Sequence, residues 1–265
     1  MKRIAEKFAD LRARNEKALI VYLTAGDPSL DVTKKLIFAL EKSGVDILEI
    51  GVPFSDPTAD GPVIQAAAQR SLKAGTTLEG VLKMVAKVRK VSNIPIVLFG
   101  YFNPLFAYGV EKFAQAARNA GVDGVLVVDL PYEEARELRD YTDAVGIDFI
   151  SLIAPTTDKE RLSKIVSKAS GFLYYISITG ITGTAAPKIS NIKVEIEKIR
   201  KITKLPVAVG FGISKPAQAR EIGRFADGVV IGSAVVRLID INKNHSDLFK
   251  ILSDYIRNIK KELRQ

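Results

Sequence analysis

Eight short apolar runs alternate along this sequence with loops and with segments whose apolar residues recur every three to four positions. Apolar residues at that spacing predict amphipathic helices. Runs without polar alternation, such as Val125-Leu126-Val127-Val128, predict strands that are buried on both faces of a parallel sheet. The predicted strands cover residues 18–24, 47–51, 96–100, 124–128, 149–153, 172–177, 207–210 and 229–231.

Eight strand–helix units with no long linker between them favour a closed barrel over an open sheet. We therefore expect an α/β protein with one domain over residues 1–265, a single (β/α)8 TIM barrel with an extra N-terminal helix. That helix is predicted over 3–14, and a basic amphipathic helix over 247–263 ends the chain. Further helices are predicted at 29–43, 110–120, 133–145, 159–169, 194–202 and 216–222.

The residue types that are present limit the chemistry. The sequence has no cysteine, and its single histidine, His245, lies in a polar segment. These facts exclude disulfides, thiolate nucleophiles, cysteine-ligated metals and a histidine-based triad within the chain. The predicted strands contain no lysine, which argues against a Schiff-base aldolase. Any acid–base catalysis must therefore use aspartate, glutamate, tyrosine or lysine side chains.

Charge and hydropathy bear on the partners and the cellular location of the protein. The formal net charge is +9, but lysine and arginine alternate with acidic residues along the predicted helices, as they do on solvated helix faces. We therefore expect no nucleic-acid partner. The charged N-terminus lacks the apolar core of a signal peptide, and no apolar run approaches the roughly 18 residues of a membrane span. The sequence predicts a cytoplasmic protein without a membrane partner.

Glycines follow the last two predicted strands. The segment Gly210-Phe211-Gly212-Ile213-Ser214 comes after one strand, and Gly232-Ser233 comes after the next. In many barrels these two loops and a helix N-terminus bind a phosphate, because glycines let backbone N–H groups approach the oxygens and the helix dipole favours the anion. Two ordinary glycine turns are the alternative, but their coincidence at neighbouring strand ends favours a phosphate site.

One carboxylate interrupts an otherwise apolar strand. Burial of Glu49 would raise its pKa from about 4.3 toward the 6 to 7 that suits proton transfer at neutral pH. Asp56 and Asp60 follow in the loop 54–62. A salt-bridged glutamate, aspartates that only cap turns, and a Mg²⁺ site formed by Glu49 and Asp129 are the alternatives. The residues favour carboxylate acid–base chemistry on a small phosphorylated molecule.

Four segments carry a combined pattern. They are Glu49-Ile50-Gly51-Val52-Pro53-Phe54-Ser55-Asp56-Pro57 with Ala59-Asp60-Gly61-Pro62, then Asp129-Leu130-Pro131, Thr179-Gly180-Ile181-Thr182-Gly183 and Gly210-Phe211-Gly212-Ile213-Ser214. Together they closely resemble the tryptophan synthase alpha subunit, and the resemblance runs from Thr24 to the last helix. It implies a lyase of tryptophan biosynthesis that cleaves indole-3-glycerol phosphate to indole and glyceraldehyde 3-phosphate, with neither a metal nor a cofactor of its own.

The resemblance also implies roles for individual residues. Glu49 matches the general acid–base, and Asp60 matches the carboxylate that accepts a hydrogen bond from the indole N–H. Tyr174 matches a substrate-positioning tyrosine, and Thr182 is expected to reach Asp60. Positions that match phosphate contacts are Gly183, Gly212, Gly232 and Ser233, and those that resemble walls of the indole pocket are Tyr22, Leu126 and Phe211.

The partner that the resemblance implies is the beta subunit of tryptophan synthase, in an alpha2beta2 heterotetramer in which the beta subunit carries pyridoxal phosphate. Four residues are expected in strand-end loops that face this subunit: Asp56, Pro57, Asn103 and Pro131. Two other functions stay open from the residues alone. One is another phosphate-binding barrel isomerase or synthase, and the other is a non-catalytic regulatory homologue.

Overall fold

A single all-parallel sheet forms the centre of the molecule, in a computed structural model that describes residues 2–176, 189–210 and 212–264. Its nine strands follow the order β5-β4-β3-β2-β1-β9-β8-β7-β6. The strands are β1 (Ala18–Thr24), β2 (Ile47–Gly51), β3 (Ile96–Gly100), β4 (Gly124–Val127), β5 (Asp148–Phe149), β6 (Ser151–Ile153), β7 (Leu173–Ile176), β8 (Val207–Gly210) and β9 (Gly228–Ile231).

The two ends of this sheet meet in one segment of the chain, 148–153. Its first part, β5, pairs with β4, and its second part, β6, pairs with β7. Between them the N–H of Ile150 donates to the carbonyl of Val125 at 2.9 Å. The barrel therefore closes with eight chain segments around it, which confirms the predicted fold. The single strand predicted over 149–153 was wrong in detail, because its two halves bond to opposite neighbours.

Twelve helices surround this sheet in the described part of the chain. The helix predicted over 133–145 begins only at Arg136, because turns occupy 132–135, and the one predicted over 194–202 begins at Ile189. None of these helices has both the length and the apolar character needed to cross a bilayer. They are α1 (Arg3–Ala13), α2 (Leu30–Lys42), α3 (Pro62–Lys73), α4 (Leu78–Arg89), α5 (Phe102–Tyr108), α6 (Val110–Ala120), α7 (Arg136–Ala144), α8 (Lys159–Lys168), α9 (Ile189–Arg200), α10 (Pro216–Gly223), α11 (Ser233–Asn242) and α12 (Leu248–Glu262).

Alternate residues of each strand face two different cores. Leu48 and Ile50 belong to the large cluster between the sheet and the helices, whereas Ile47 belongs to a smaller cluster inside the barrel. This alternation is the period of two that a strand imposes. We call the smaller set the interior cluster; its buried members are Ile4, Phe8, Leu11, Ala18, Ile20, Ile47, Val97, Leu126, Ile150, Phe172, Ala208 and Val230.

The extra N-terminal helix closes one end of the barrel. Three buried residues of α1, Ile4, Phe8 and Leu11, belong to the interior cluster. The ring of Phe8 lies 5.7 Å from that of Phe172 on the chain just before β7. Apolar side chains thus fill the N-terminal end of the barrel, and polar residues of the interior lie toward the C-terminal end of the strands.

Candidate active site

A glutamate lies inside the barrel, and no residue in the described part of the chain forms an ion pair with it. Glu49 follows Ile47 on the inward face of β2, at a position that pairs with Tyr22 of β1 and Val97 of β3. Its residue is 1% exposed, and its Oε1 is buried with no hydrogen-bond partner within the described residues. Burial alone raises the pKa of the Glu49 carboxyl to about 8. This pKa exceeds the range expected from the sequence, because burial disfavours the anion and no described residue offsets that effect.

A second carboxylate reaches the site from the loop between β2 and α3. The backbone N–H of Asp60 donates to the carbonyl of Pro57 at 3.1 Å, and its own carbonyl accepts from Gln65 Nε2 at 2.8 Å. Its Oδ2 accepts from the Tyr101 hydroxyl at 3.1 Å. Partial burial raises the pKa of Asp60 to about 6, and the hydrogen bond from Tyr101 moderates the rise.

Tyr101 is a site residue that sequence reasoning missed. It follows β3, and its hydroxyl accepts the N–H of Ala59 at 3.0 Å while donating to Asp60. Its ring lies 5.3 Å from that of Phe54. One side chain therefore holds the loop after β2 at three points. The only signal in the sequence is an aromatic residue with a hydroxyl at the end of a strand next to the loop.

Two tyrosines complete the polar part of the interior. The hydroxyl of Tyr22 lies so close to Gly51 on β2 that a Cβ there would overlap it, and the hydroxyl of Tyr174 lies similarly close to Gly210. Each glycine thus leaves the space that a phenol needs. Thr24 Oγ1 donates to the Tyr22 hydroxyl at 3.4 Å. Burial, with Glu49 nearby, raises the pKa of both phenols, so both stay protonated.

The neighbouring side chains are apolar. Leu126 is fully buried in the interior cluster, and the ring of Phe99 meets that of Tyr22 edge-on at 5.2 Å. Tyr174 packs against the interior cluster, whereas Tyr175 belongs to the layer under the helices. The two tyrosines therefore point to opposite faces of β7, and only Tyr174 faces the carboxylates.

The glycines that follow β8 and β9 lie at the same end of the barrel. Gly212 is exposed, and its φ of +44° is one that L-residues rarely adopt. Gly232 is the N-cap residue of α11, without a side-chain cap, and exposed Ser233 begins that helix. Three further positions predicted from the resemblance, Thr182, Gly183 and Phe211, lie outside the described residues.

The residues expected to face a partner also lie after strands. Asp56 and Pro131 are exposed in the loops after β2 and β4, and Pro57 is half-buried. Asn103 is exposed too, but its expected place in a loop was wrong. It is the second residue of α5, because the helix starts as soon as β3 has ended.

A metal site formed by Glu49 and Asp129 is not supported by the contacts of Asp129. That carboxylate is exposed, and its Oδ1 accepts the backbone N–H of Phe102 at 2.8 Å. Over residues 2–176, 189–210 and 212–264, no three acidic or histidine side chains cluster as metal ligands. What the described site offers is a carboxyl group that can hold or release a proton near neutral pH, and a second carboxylate on a loop.

The chain is similar to proteins of one family over nearly its whole length. The family model described as tryptophan synthase alpha chain matches residues 8–264. A tryptophan synthase alpha chain of Citrifermentans bemidjiense is 48% identical over 260 residues, which cover 98% of this chain and 97% of that protein. One of Geotalea daltonii is 53% identical over 237 residues, or 89% and 90% of the two chains.

Solved structures extend this likeness to the fold. A tryptophan synthase subunit alpha of Legionella pneumophila matches with a TM-score of 0.93 and 38% identity over 99% of this chain and 98% of that one. A chain of a tryptophan synthase complex of Pyrococcus furiosus matches with a TM-score of 0.84 and 36% identity, covering 92% and 98%. This chain therefore belongs to the tryptophan synthase alpha chain family.

Proposed function

We propose that this chain cleaves indole-3-glycerol phosphate to indole and glyceraldehyde 3-phosphate, as a lyase of tryptophan biosynthesis. The observation that carries the proposal is the buried carboxyl group of Glu49 in the barrel interior, whose Oε1 has no hydrogen-bond partner among the described residues. A group with a pKa of about 8 is protonated in most molecules at pH 7 and can still lose its proton. Both states are needed, since the reaction gives a proton to carbon and takes one from oxygen.

The proposed steps use the two carboxyl groups in different ways. Protonated Glu49 donates to C3 of the indole ring, and its carboxylate then accepts the proton of the hydroxyl on the attached carbon. The bond between these two carbons breaks, its electron pair returns to the ring, and the hydroxyl carbon becomes the aldehyde. Asp60 accepts a hydrogen bond from the ring N–H, which stabilises the positive charge that forms while C3 is protonated.

The remaining site residues are proposed to bind the two ends of the substrate. Glycines bring backbone N–H groups close to the phosphate, and the N-terminal end of α11 adds its dipole. These phosphate positions are Gly183, Gly212, Gly232 and Ser233. The indole ring is proposed to lie among Tyr22, Leu126, Tyr174 and Phe211, with Thr182 reaching Asp60 over the bound substrate.

We further propose that a beta subunit is the partner, in a cytoplasmic heterotetramer. The relative from Pyrococcus furiosus was solved as a tryptophan synthase complex. In this chain Asp56, Asn103 and Pro131 lie exposed beside the site, where a partner could hold the loop after β2 closed and exclude water. A cognate beta subunit is expected to raise cleavage roughly tenfold, or about 1.4 kcal/mol of barrier. Titration of that subunit while glyceraldehyde 3-phosphate is measured tests this.

The test of the activity is release of indole from indole-3-glycerol phosphate by the purified chain and by its Glu49→Gln variant. Glutamine keeps the shape of the side chain but exchanges no proton. A matched control is Glu79→Gln, which changes an exposed glutamate on α4 that pairs with Lys83. Indole release by the wild type and the control, but not by Glu49→Gln, supports the proposal. Equal turnover by all three proteins would sink it.

A further inference from the structure

We infer that Arg70 is a positioning residue that keeps the segment bearing Asp60 in register with helix α11. The inference rests on the proposed function, because it concerns how the carboxylate end and the phosphate end of one site are held relative to each other. Arg70 lies on α3, the helix that begins two residues after Asp60. It contacts neither carboxyl group of the site, so it would act through the elements that it joins.

The main contact of Arg70 is a two-pronged ion pair with the loop after β1. Its Nε donates to Asp27 Oδ1 at 2.8 Å, and its Nη2 donates to Asp27 Oδ2 at 2.7 Å. Asp27 is 3% exposed. A planar guanidinium that matches both oxygens of a buried carboxylate fixes direction as well as distance. Ser71 strengthens this junction, since its hydroxyl donates to the carbonyl of Ala25.

The third nitrogen of Arg70 contacts a different element. Nη1 lies 3.2 Å from Asp240 Oδ1, on the helix α11 whose first residues are the proposed phosphate contacts. One guanidinium therefore joins three elements that all border the site: α3, the loop after β1, and α11. Lysine could not make these contacts together, because its ammonium is a single point of charge.

Helix α3 passes this constraint on to the reacting end. Gln65, five residues before Arg70 on the same helix, donates to the carbonyl of Asp60. Ala67 packs with Tyr22 of β1 and Val236 of α11 in a small apolar cluster. A short helix moves as a rigid rod, so a shift at Arg70 moves both Gln65 and Ala67. The position of Asp60 thus depends on where α11 and the loop after β1 lie.

A purely structural ion pair offers the matched comparison. Arg89 on α4 pairs with Asp123 at 2.9 Å, is less exposed than Arg70 (11% against 24% of the side chain) and lies at the N-terminal end of the barrel. Arg89 also donates to the carbonyls of Gly121, Ser92 and Ile94, so Arg89→Lys should lower the melting temperature at least as much as Arg70→Lys. Only Arg70→Lys should change how the reacting groups are placed.

The first measurement is the kinetics of indole release from indole-3-glycerol phosphate. Arg70→Lys is expected to lower kcat about tenfold or more with KM within about threefold, because misplacement of reacting groups acts on the chemical step. Arg89→Lys should keep kcat within about twofold. Asp240→Asn, which spares the buried pair with Asp27, should lower kcat by a smaller factor. A kcat of Arg70→Lys no lower than that of Arg89→Lys overturns the inference.

The second measurement does not depend on the activity. Hydrogen exchange of the segment 54–61 is followed with and without saturating inorganic phosphate. In the wild type, phosphate should slow exchange of this segment several-fold, and in Arg70→Lys it should slow only the first turn of α11. If the wild type releases no indole, the proposed function fails, and this experiment still decides the inference. Exchange in 54–61 that is unaffected by phosphate, or equally affected in both proteins, overturns it.

Discussion

In the described residues, buried charged groups at the N-terminal end of the barrel have oppositely charged partners, whereas the carboxyl groups of Glu49 and Asp60 at the C-terminal end do not. At the N-terminal end, Asp123 is fully buried, and its carboxylate accepts from Arg3 at 2.8 Å, from Arg89 at 2.9 Å and from the backbone N–H of Ile96 at 2.9 Å. Lys260, 3% exposed, lies 2.7 Å from Asp46. At the C-terminal end, the buried Glu49 has an oxygen with no partner in the described chain, and Asp60 has a neutral phenol.

The groups at the two ends therefore have different roles: the buried ion pairs at the N-terminal end stabilise the fold, and Glu49 and Asp60 at the C-terminal end are proposed to take part in the reaction. A buried charge costs free energy unless an opposite charge and hydrogen bonds offset the loss of water. At the N-terminal end each of these buried charges has an oppositely charged partner, so these groups stabilise the fold. At the C-terminal end burial raises the pKa of Glu49 without such an offset among the described residues, so Glu49 can change its charge state near neutral pH. In a barrel of this kind, working residues lie at that end of the strands.

The largest effect, on kcat, is expected from a change to the proposed proton-transfer group at the C-terminal end of the barrel. Glu49→Gln should lower kcat by about 10² to 10⁴-fold or more, because a general acid–base contributes about that much and this one serves two steps. The fold should persist, since a neutral amide replaces a group that is disfavoured as an anion. Steady-state kinetics and circular dichroism check both statements, and near-normal turnover would contradict the assignment.

The same substitution should change how stability depends on pH. In the unfolded chain Glu49 loses its proton near pH 4.5, whereas in the folded chain it keeps it until about pH 8. The unfolded state therefore binds fewer protons at this site between these values, and the contribution of Glu49 to wild-type stability falls as pH rises through them. Glu49→Gln should lack this part of the slope. Urea unfolding of both proteins at pH 5 and pH 8 measures the difference, which vanishes if Glu49 has an ordinary pKa.

The next largest effect, on the free energy of unfolding, is expected from a change to the buried ion pairs at the N-terminal end of the barrel. Asp123→Asn should lower the free energy of unfolding by about 3 kcal/mol, because it leaves two arginines facing a neutral amide in a buried site. The value of kcat should change less than twofold. Asp10→Asn, which breaks the exposed pair with Arg14, is the control and should change stability by about 0.5 kcal/mol or less. A large loss of kcat in Asp123→Asn would mean that the two ends are not separable.

A moderate effect is expected at the tyrosine that holds the loop. Tyr101→Phe removes the donor to Asp60 and the acceptor for Ala59, and should lower kcat/KM about tenfold. The hydrogen bond lowers the pKa of Asp60, so its loss should raise that pKa above about 6 and move the acid limb of the rate profile to higher pH. The control is Tyr141→Phe, at an exposed tyrosine. An unshifted limb would show that Asp60 does not set it.

The smallest effect, on KM, is expected at a proposed phosphate contact at the C-terminal end of the barrel. Gly212→Ala should raise KM several-fold with a lesser change in kcat, because the new Cβ points into open space that the phosphate is proposed to fill. Gly75 has the same combination of positive φ and open surroundings, so Gly75→Ala carries a similar strain. Both variants should lose about 1 kcal/mol of stability. An unchanged KM in Gly212→Ala would place the phosphate elsewhere.

What the sequence predicts well is set by short-range patterns. The eight chain segments of the barrel follow from apolar runs, and Glu49 is visible as the single carboxylate in one of them. The break at Ile150 is not visible, because the run from Phe149 to Ile153 has a single polar residue, Ser151, and otherwise has the pattern of one strand, while its hydrogen bonds divide between β4 and β7. An apolar run predicts a strand, but which neighbouring strands pair with it depends on how the barrel closes.

What the sequence does not predict depends on long-range contacts. Tyr101 touches Asp60 only because the loop after β2 folds back over the end of β3. Arg70 lies in an ordinary amphipathic helix, and nothing near it in the sequence indicates Asp27 or Asp240. Asn103 was expected in a strand-end loop because it follows the predicted strand 96–100 closely, yet α5 begins at Phe102, and a proline is tolerated in the first turn of a helix, as Pro104 is here.

The helix that fills the N-terminal end has a consequence for electrostatics at the other end. Ile4, Phe8 and Leu11 fill the N-terminal end of the barrel interior, so the low-dielectric environment of Glu49 depends in part on a helix at the opposite end of the barrel. Shortening these side chains would let water rise along the axis and stabilise the glutamate anion. The acidity of the proposed proton donor could thus be tuned by packing at the opposite mouth, without a change in any residue that meets the substrate.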